Sequence, residues 1–298
     1  MSYILDDLKD LGIEEIVFVI GYLGDVVKEY MATEYPEIRP EYVVQEVQDG
    51  TAGAVKLAEP FVEGEVLILF VDTLFEADLS MAKRLDPNWS GVIWAKEVED
   101  YQRYGVIVTD EEFAMTRIVE KPSEPISKLA NIGLYYIRDS ELLFEGIRQT
   151  LAAEPGPSGE FYLTDAFQYM VDQGSKLLAA PVEGWYDCGK PETLLETNQH
   201  LLETTRGAIA SSAKVESSVV GDPVRIEREV VIAGSTVGPN VTVEAGARIA
   251  NSTLRHCIVG PGAVVENATL ESSLIGGHAR ISSFTGSLSV ADHSVVEG

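Results

Sequence analysis

The chain reads as an α/β domain followed by a parallel β-helix, and three features of its sequence predict this. From Tyr3 to about Arg206, short β-branched runs such as EIVFVI at residues 15–20 and VLILFV at residues 66–71 alternate with amphipathic stretches. That alternation is the pattern of a sheet with crossover helices. From about Ser211 the helical spacing stops, and aliphatic residues recur every six positions: Val231, Val237, Val243 and Ile249, then Ile258, Val264 and Leu270. Gly, Asn, Ser and Ala fill the positions between them, as in VGPNVTVEAGARIANS, and this combination marks a parallel β-helix. The expected domains are 1–206 and 207–298, the second long enough for roughly five coils of three hexapeptides.

The elements follow in order. Ile4, Leu5, Leu8 and Leu11 recur at helical spacing, residues 15–20 form a buried strand, and Gly21-Tyr22 turns the chain into a helix carrying Val26, Val27 and Tyr30. A strand is expected at 42–45, a helix opening at Gly50-Thr51, and a second buried strand at 66–71 that ends at Asp72-Thr73. Strands at 92–95 and 130–137 flank a hairpin around 104–108 and 117–119, and helices are expected at 140–150, 164–172 and 191–202.

Forty-eight acidic residues against 22 basic ones give a formal charge of −26 and a pI near 4.4. Such a surface repels nucleic acid and anionic membranes, which excludes both as partners. It also repels phosphates, so a phosphate site here needs local cations and Mg²⁺. A solubility surface and adaptation to high salt both fit this composition. No apolar run approaches the ~18 residues of a membrane helix, and the N-terminus has no secretory pattern, so a cytoplasmic protein is expected. Cys188 and Cys257 lie too far apart in sequence to suggest a disulfide framework or a metal knuckle.

In open α/β sheets, ligands sit beyond the carboxyl ends of the strands. Asp72 follows VLILFV at such an end, where it could hold a hard cation or cap the next helix. A second acid, Asp187, lies in GWYDCGKPE, and two carboxylates from distant strands can share one metal in phosphoryl chemistry.

Several motifs then occur in order: Gln45 with Gly50-Thr51-Ala52-Gly53-Ala54, Asp72-Thr73, Glu120-Lys121-Pro122, Gly159-Glu160 with Leu163-Thr164-Asp165, and Trp185-Tyr186-Asp187. As a set they resemble the sugar-1-phosphate nucleotidyltransferases, in particular the long glucose-1-phosphate thymidylyltransferase-like members that carry a C-terminal left-handed β-helix. The resemblance implies a Rossmann-like domain with a mixed sheet, Mg²⁺ as cofactor, and dTTP or UTP with a sugar 1-phosphate as substrates. It assigns base recognition to Gln45, Gly50 and Thr51, and Mg²⁺ to Asp72 and Asp187. Tyr104, Gly105, Glu120, Asn131 and Glu160 fall on the sugar side, with Lys121 holding the sugar phosphate. A carboxylate accepting from hydroxyls beside an ammonium facing a phosphate suits that task. Glu160, Thr164 and Asp165 fit a helix start equally well, and Trp185 fits packing.

One part of the family pattern is not found in these residues. The Gly-x-Gly-Thr-Arg run that grips the NTP phosphates does not occur, and the resemblance begins at the family's first helix, after its first strand. The expectation is therefore a chain shortened at its N-terminus and inactive as it stands, with a non-catalytic sugar-nucleotide-binding or assembly subunit as the alternative. Of His200, His256, His278 and His293, the last three fall in the β-helix and would suit an acyltransferase there, or only coil corners. Apolar residues in 282–298 lack a polar cap, which suggests a homo-oligomer.

Overall fold

The run LANIGLYYI, with Asn131 as its one amide, becomes the middle strand of a mixed sheet. In this computed structural model, which describes residues 1–13, 15–156, 158–205 and 207–298, the elements up to that sheet's last strand follow in order. They are α1 (Ser2–Asp10), β1 (Glu15–Ile20), α2 (Gly24–Glu34), β2 (Arg39–Val44), α3 (Thr51–Lys56), β3 (Val66–Leu69), β4 (Thr73–Glu76) and α4 (Met81–Arg84). Then come β5 (Gly91–Glu97), β6 (Gly105–Thr109), β7 (Met115–Glu120), β8 (Leu129–Ile137), α5 (Ser140–Ala152), α6 (Leu163–Asp172) and β9 (Leu177–Pro181). After β10 (Gly184–Asp187) and α7 (Pro191–Thr205) the chain continues as short solenoid strands.

The sheet runs β7-β6-β8-β5-β9, with β3 joined antiparallel to β8. Its faces follow the two-residue period of a strand. Ile93 and Ala95 of β5, with Tyr135 and Ile137 of β8, face Leu143, Phe144 and Ile147 of α5 and Leu163, Phe167 and Met170 of α6. Val92 and Trp94, with Ile132, Leu134 and Tyr136, face the opposite cluster, which takes Ile4 and Leu8 from α1. Each large side chain buried this way contributes roughly 1.5–3 kcal/mol. The Asp139 carboxylate starts α5 by accepting from Leu142 N at 3.0 Å, an N-cap worth about 1 kcal/mol.

Two strands differ from expectation. Residues 15–20 and 66–71 read as buried runs, yet only Ile20 of β1 and Ile68 of β3 are buried, and β3 stops at Leu69. The cause is pairing: among the described residues, β1 joins only β2, in parallel, and β3 joins only β8. A strand with one partner keeps an open edge and covers less of its surface. Ile16 of β1 and Leu67 and Leu69 of β3 nevertheless pack on the same cluster as Ile4 and Leu8.

The solenoid is a parallel β-helix of about five turns. Along one face the paired residues are Lys214, Val231, Arg248, Val264, Arg280 and Val295. Equivalent positions lie 17 residues apart in the early coils, then 16, then 15. Since each coil is shorter than three hexapeptides, a fixed step of six drifts from one face to another. Val231, Ile258 and Val264 are accordingly only half-buried, while the core is built from Ile232, Ile249, Val265 and Ile281 beside Val237, Leu254 and Leu270. A serine ladder crosses the coils: Ser235 N donates to Ser218 Oγ, Ser252 N to Ser235 Oγ and Ala268 N to Ser252 Oγ, each at 3.0 Å. It satisfies backbone groups that the interior would otherwise leave unpaired.

Helix α7 packs on the solenoid strands around residues 241–243, 253–259 and 269–275, and Thr242 Oγ1 donates to Asn198 Oδ1 at 2.6 Å. The chain divides into two compact units, Met1–Trp185 and Tyr186–Gly298. At the C-terminal end Phe284, Leu288, Val290 and Val296 pack on the core. Val295 at that end is exposed, as are Ile209, Val215 and Val219 of the first coil. Among the described residues, no helix is long and apolar enough to cross a membrane.

Candidate active site

Sheet register brings the sugar-side residues together. Gly105 opens β6 opposite Glu120, the last residue of β7, and Lys121 N donates to Tyr104 O at 2.9 Å. Asn131 on β8 donates through Nδ2 to Gly105 O at 3.1 Å and accepts from Tyr135 Oη. A side chain at Gly105 has no room, because its Cβ would meet Asn131 Nδ2 and lie 2.7 Å from Glu120 Oε2. Thr164 Oγ1 at the start of α6 donates to Glu120 Oε2 at 3.3 Å. The Lys121 ammonium sits 5.0 Å above the Tyr162 ring and 3.5 Å from its hydroxyl. A cleft of about 530 Å³ along β7 is lined by Glu120, Gly156, Tyr162, Asp165 and Gln168.

The base-side residues form a second cluster. Gln45 directly follows β2 and donates through Nε2 to Asp49 Oδ1 at 3.2 Å and to Gly50 O at 3.3 Å. Gly50 precedes α3 with φ +115°, a conformation open to glycine alone. Residues 160–164 join the two clusters. Phe161 N donates to Asp49 O at 2.7 Å, Ala52 N donates to Phe161 O at 3.0 Å, and Leu163 N donates to Thr51 Oγ1 at 2.9 Å. Thr164, one residue on, reaches Glu120.

Burial holds the Glu120 carboxyl above the usual carboxylate range; Asp165 and Glu160 add to this, while Lys121 and Thr164 oppose it. Burial raises Asp165 as well. Because the unfolded chain releases the Glu120 proton first, folding loses stability as pH climbs from the ordinary carboxylate value through the raised one. Glu120→Gln is therefore expected to raise the urea midpoint at pH 7 relative to wild type. The advantage should disappear below about pH 4, where both states of wild type are protonated, and paired urea titrations at the two pH values measure it.

The two remaining acids stand at the ends of other strands. Asp72 is exposed just beyond β3. Asp187 ends β10 in the second unit, its Oδ1 accepting from Gly189 N at 2.8 Å. Among the described residues, no group of three or more His, Cys, Asp or Glu could hold a metal alone. Trp185 packs edge-on against Tyr104 at 4.8 Å between ring centroids. His256, His278 and His293 all occupy left-handed corners of the solenoid, and the last two stack at 5.2 Å. Asp49 and Tyr162 were not singled out in the sequence. The available signals were the acid immediately before Gly50 and the aromatic immediately before Leu163-Thr164-Asp165.

The family model for nucleotidyl transferases matches residues 1–204. The chain belongs to the nucleotidyl transferase family. It is 32% identical over 229 residues to the low-salt glycan biosynthesis nucleotidyltransferase Agl11 of Haloferax volcanii, covering 74% of this chain and 63% of that one. The UTP–glucose-1-phosphate uridylyltransferase AglF of the same organism is 29% identical, over 70% of this chain and 86% of AglF. The bifunctional protein GlmU of Methanocaldococcus jannaschii is 29% identical, over 83% and 53%. The chain thus spans less than two thirds of Agl11 and about half of GlmU. A crystal structure of UDP-glucose pyrophosphorylase complexed with UDP-glucose superposes with a TM-score of 0.60 at 23% identity, covering 68% of this chain and 86% of that one, a likeness of fold.

Proposed function

We propose that this nucleotidyl transferase chain binds a hexose 1-phosphate at Tyr104, Gly105, Glu120, Lys121, Asn131 and Glu160, and a uridine or thymidine nucleotide at Gln45, Gly50 and Thr51. The supporting observation is the shared segment 160–164, hydrogen-bonded at once to Asp49, Ala52, Thr51 and Glu120. One loop that couples two binding clusters suits a reaction between two ligands. In that reaction a sugar-phosphate oxygen displaces pyrophosphate in line at the α-phosphorus, and the chain contributes positioning and charge.

Mg²⁺ is the proposed cofactor, with Asp72 and Asp187 as its protein ligands. Two exposed or half-buried carboxylates are hard oxygen donors of the kind Mg²⁺ takes, and phosphate oxygens and water would complete its shell. When bound, the ion would neutralise charge on the phosphates. We extend the reading to a cytoplasmic homo-oligomer, which the exposed Ile209, Val215 and Val219 of the first coil support.

Turnover further requires donors for the β- and γ-phosphates, the task of a glycine-rich loop with cations, and residues 1–298 contain no such run. Calorimetry on residues 1–298 with Mg²⁺ is expected to show binding of glucose 1-phosphate and of UDP-glucose. A pyrophosphate-release assay with UTP or dTTP is expected to stay well below about 1 s⁻¹. Absence of binding by both ligands would sink the substrate assignment, and turnover at ordinary rates would sink the inactivity. Binding without turnover is also the behaviour of a sugar-nucleotide-binding subunit.

A further inference from the structure

Gln45 stands at the end of the parallel pair β1-β2, its backbone N–H donating to Ile20 O at 2.9 Å, with its half-buried side chain just beyond the strand. A glutamine amide has two unlike ends: Oε1 only accepts and Nε2 only donates. The two groups beside it, Asp49 Oδ1 at 3.2 Å and the Gly50 carbonyl at 3.3 Å, are both acceptors. Neither can bond to Oε1, so only Nε2 can face them. This orientation follows from the neighbours' chemistry and does not depend on telling oxygen from nitrogen.

Asp49 is itself held in place. Its backbone carbonyl accepts from Phe161 N at 2.7 Å. Its carboxylate fills the space a side chain at Gly53 would need, with Oδ2 2.6 Å from an ideal Cβ there. Residue 53 is therefore confined to glycine by the same acid that orients Gln45.

We infer that Asp49 is a positioning residue that keeps Gln45 Oε1 outward as an acceptor, so that the site selects a pyrimidine carrying an N3–H over cytosine. The inference rests on the reading of Gln45 as a base contact. Uracil and thymine present a proton at N3, which an outward Oε1 accepts. Cytosine presents a bare lone pair there, which the same oxygen repels. An asparagine at position 49 carries an NH₂ group that can donate to Oε1, so that of the two neighbours only the Gly50 carbonyl still favours Nε2 inward, and the Gln45 amide can turn to offer Nε2 to cytosine.

The test is calorimetry with UDP-glucose, CDP-glucose and the N3-methyl analogue of UDP-glucose on residues 1–298. Wild type is expected to prefer UDP-glucose by roughly tenfold or more over each of the others, the cost of one unmade or opposed hydrogen bond. In Asp49→Asn the UDP-to-CDP preference is expected to collapse to within about threefold, with CDP-glucose binding tighter than it binds wild type. If both ligands weaken by a common factor and the ratio holds, Asp49 only supports the loop and the proposal fails. Should the variant not fold, the N3-methyl analogue still decides with wild type alone: binding equal to UDP-glucose overturns the outward acceptor. Wild type that binds none of the three overturns the base-contact reading and the inference with it. A retained UDP preference in Asp49→Asn overturns the inference alone.

Discussion

Replacing Gly50 by alanine is expected to destabilise the N-terminal unit by on the order of 3 kcal/mol, lowering its thermal midpoint by about 6–12 °C. Two effects add. The backbone at Gly50 has φ +115° and ψ −176°, a combination that L side chains pay heavily to adopt. The new Cβ would also run into Phe161 O and lie 2.7 Å from Phe161 N, atoms already committed to Ala52 N and Asp49 O. Neither side can retreat without breaking the bonds that join the two halves of the site. Gly159→Ala separates strain from crowding: its φ is +76° and nothing lies within 4 Å of a Cβ there. A left-handed alanine alone costs about 1–2 kcal/mol. Calorimetric melting of the two variants gives the comparison, and equal losses would show that contact with residue 161 is not what excludes a side chain at position 50.

Lys121→Met is expected to weaken glucose 1-phosphate binding about 10- to 100-fold while leaving the melting temperature nearly unchanged. The range follows from losing a charge-assisted hydrogen bond of roughly 1.5–3 kcal/mol. Methionine keeps an unbranched stem and removes only the ammonium, which sits 5.0 Å above the Tyr162 ring. Lys121 is exposed, so the fold loses little. The same titration with glucose lacking the phosphate supplies the control, since its affinity should not respond to the change. A parallel fall for both ligands would mean that the lysine orders the pocket generally and does not hold a phosphate.

The sheet was legible in the sequence wherever a strand had partners on both sides. Residues 92–95 are wholly apolar and 130–137 are apolar apart from Asn131 and Gly133, because both of their faces are buried. Residues 15–20 carry the same kind of run but form a strand with a single partner, and composition alone does not distinguish the two cases. Strand β9 went unread because LLAAP contains no β-branched residue; its place is set by parallel pairing with β5. In the solenoid the beat of six revealed the fold but not the phase. At the site, Glu120, Lys121 and Asn131 were found through ordered motifs, whereas Asp49 and Tyr162 act through partners a few residues to more than a hundred residues away. Contacts of that kind leave no periodic trace.

The coils of the solenoid lose residues along the chain while their rungs stay aligned. The corners, not the strands, therefore absorb changes in length. Deleting one corner residue is silent to the next rung, whereas the same deletion within a strand turns an inward side chain out to solvent. Insertions and deletions should accordingly accumulate at the corners during divergence, and whole rungs can be gained or lost without rewriting the interior.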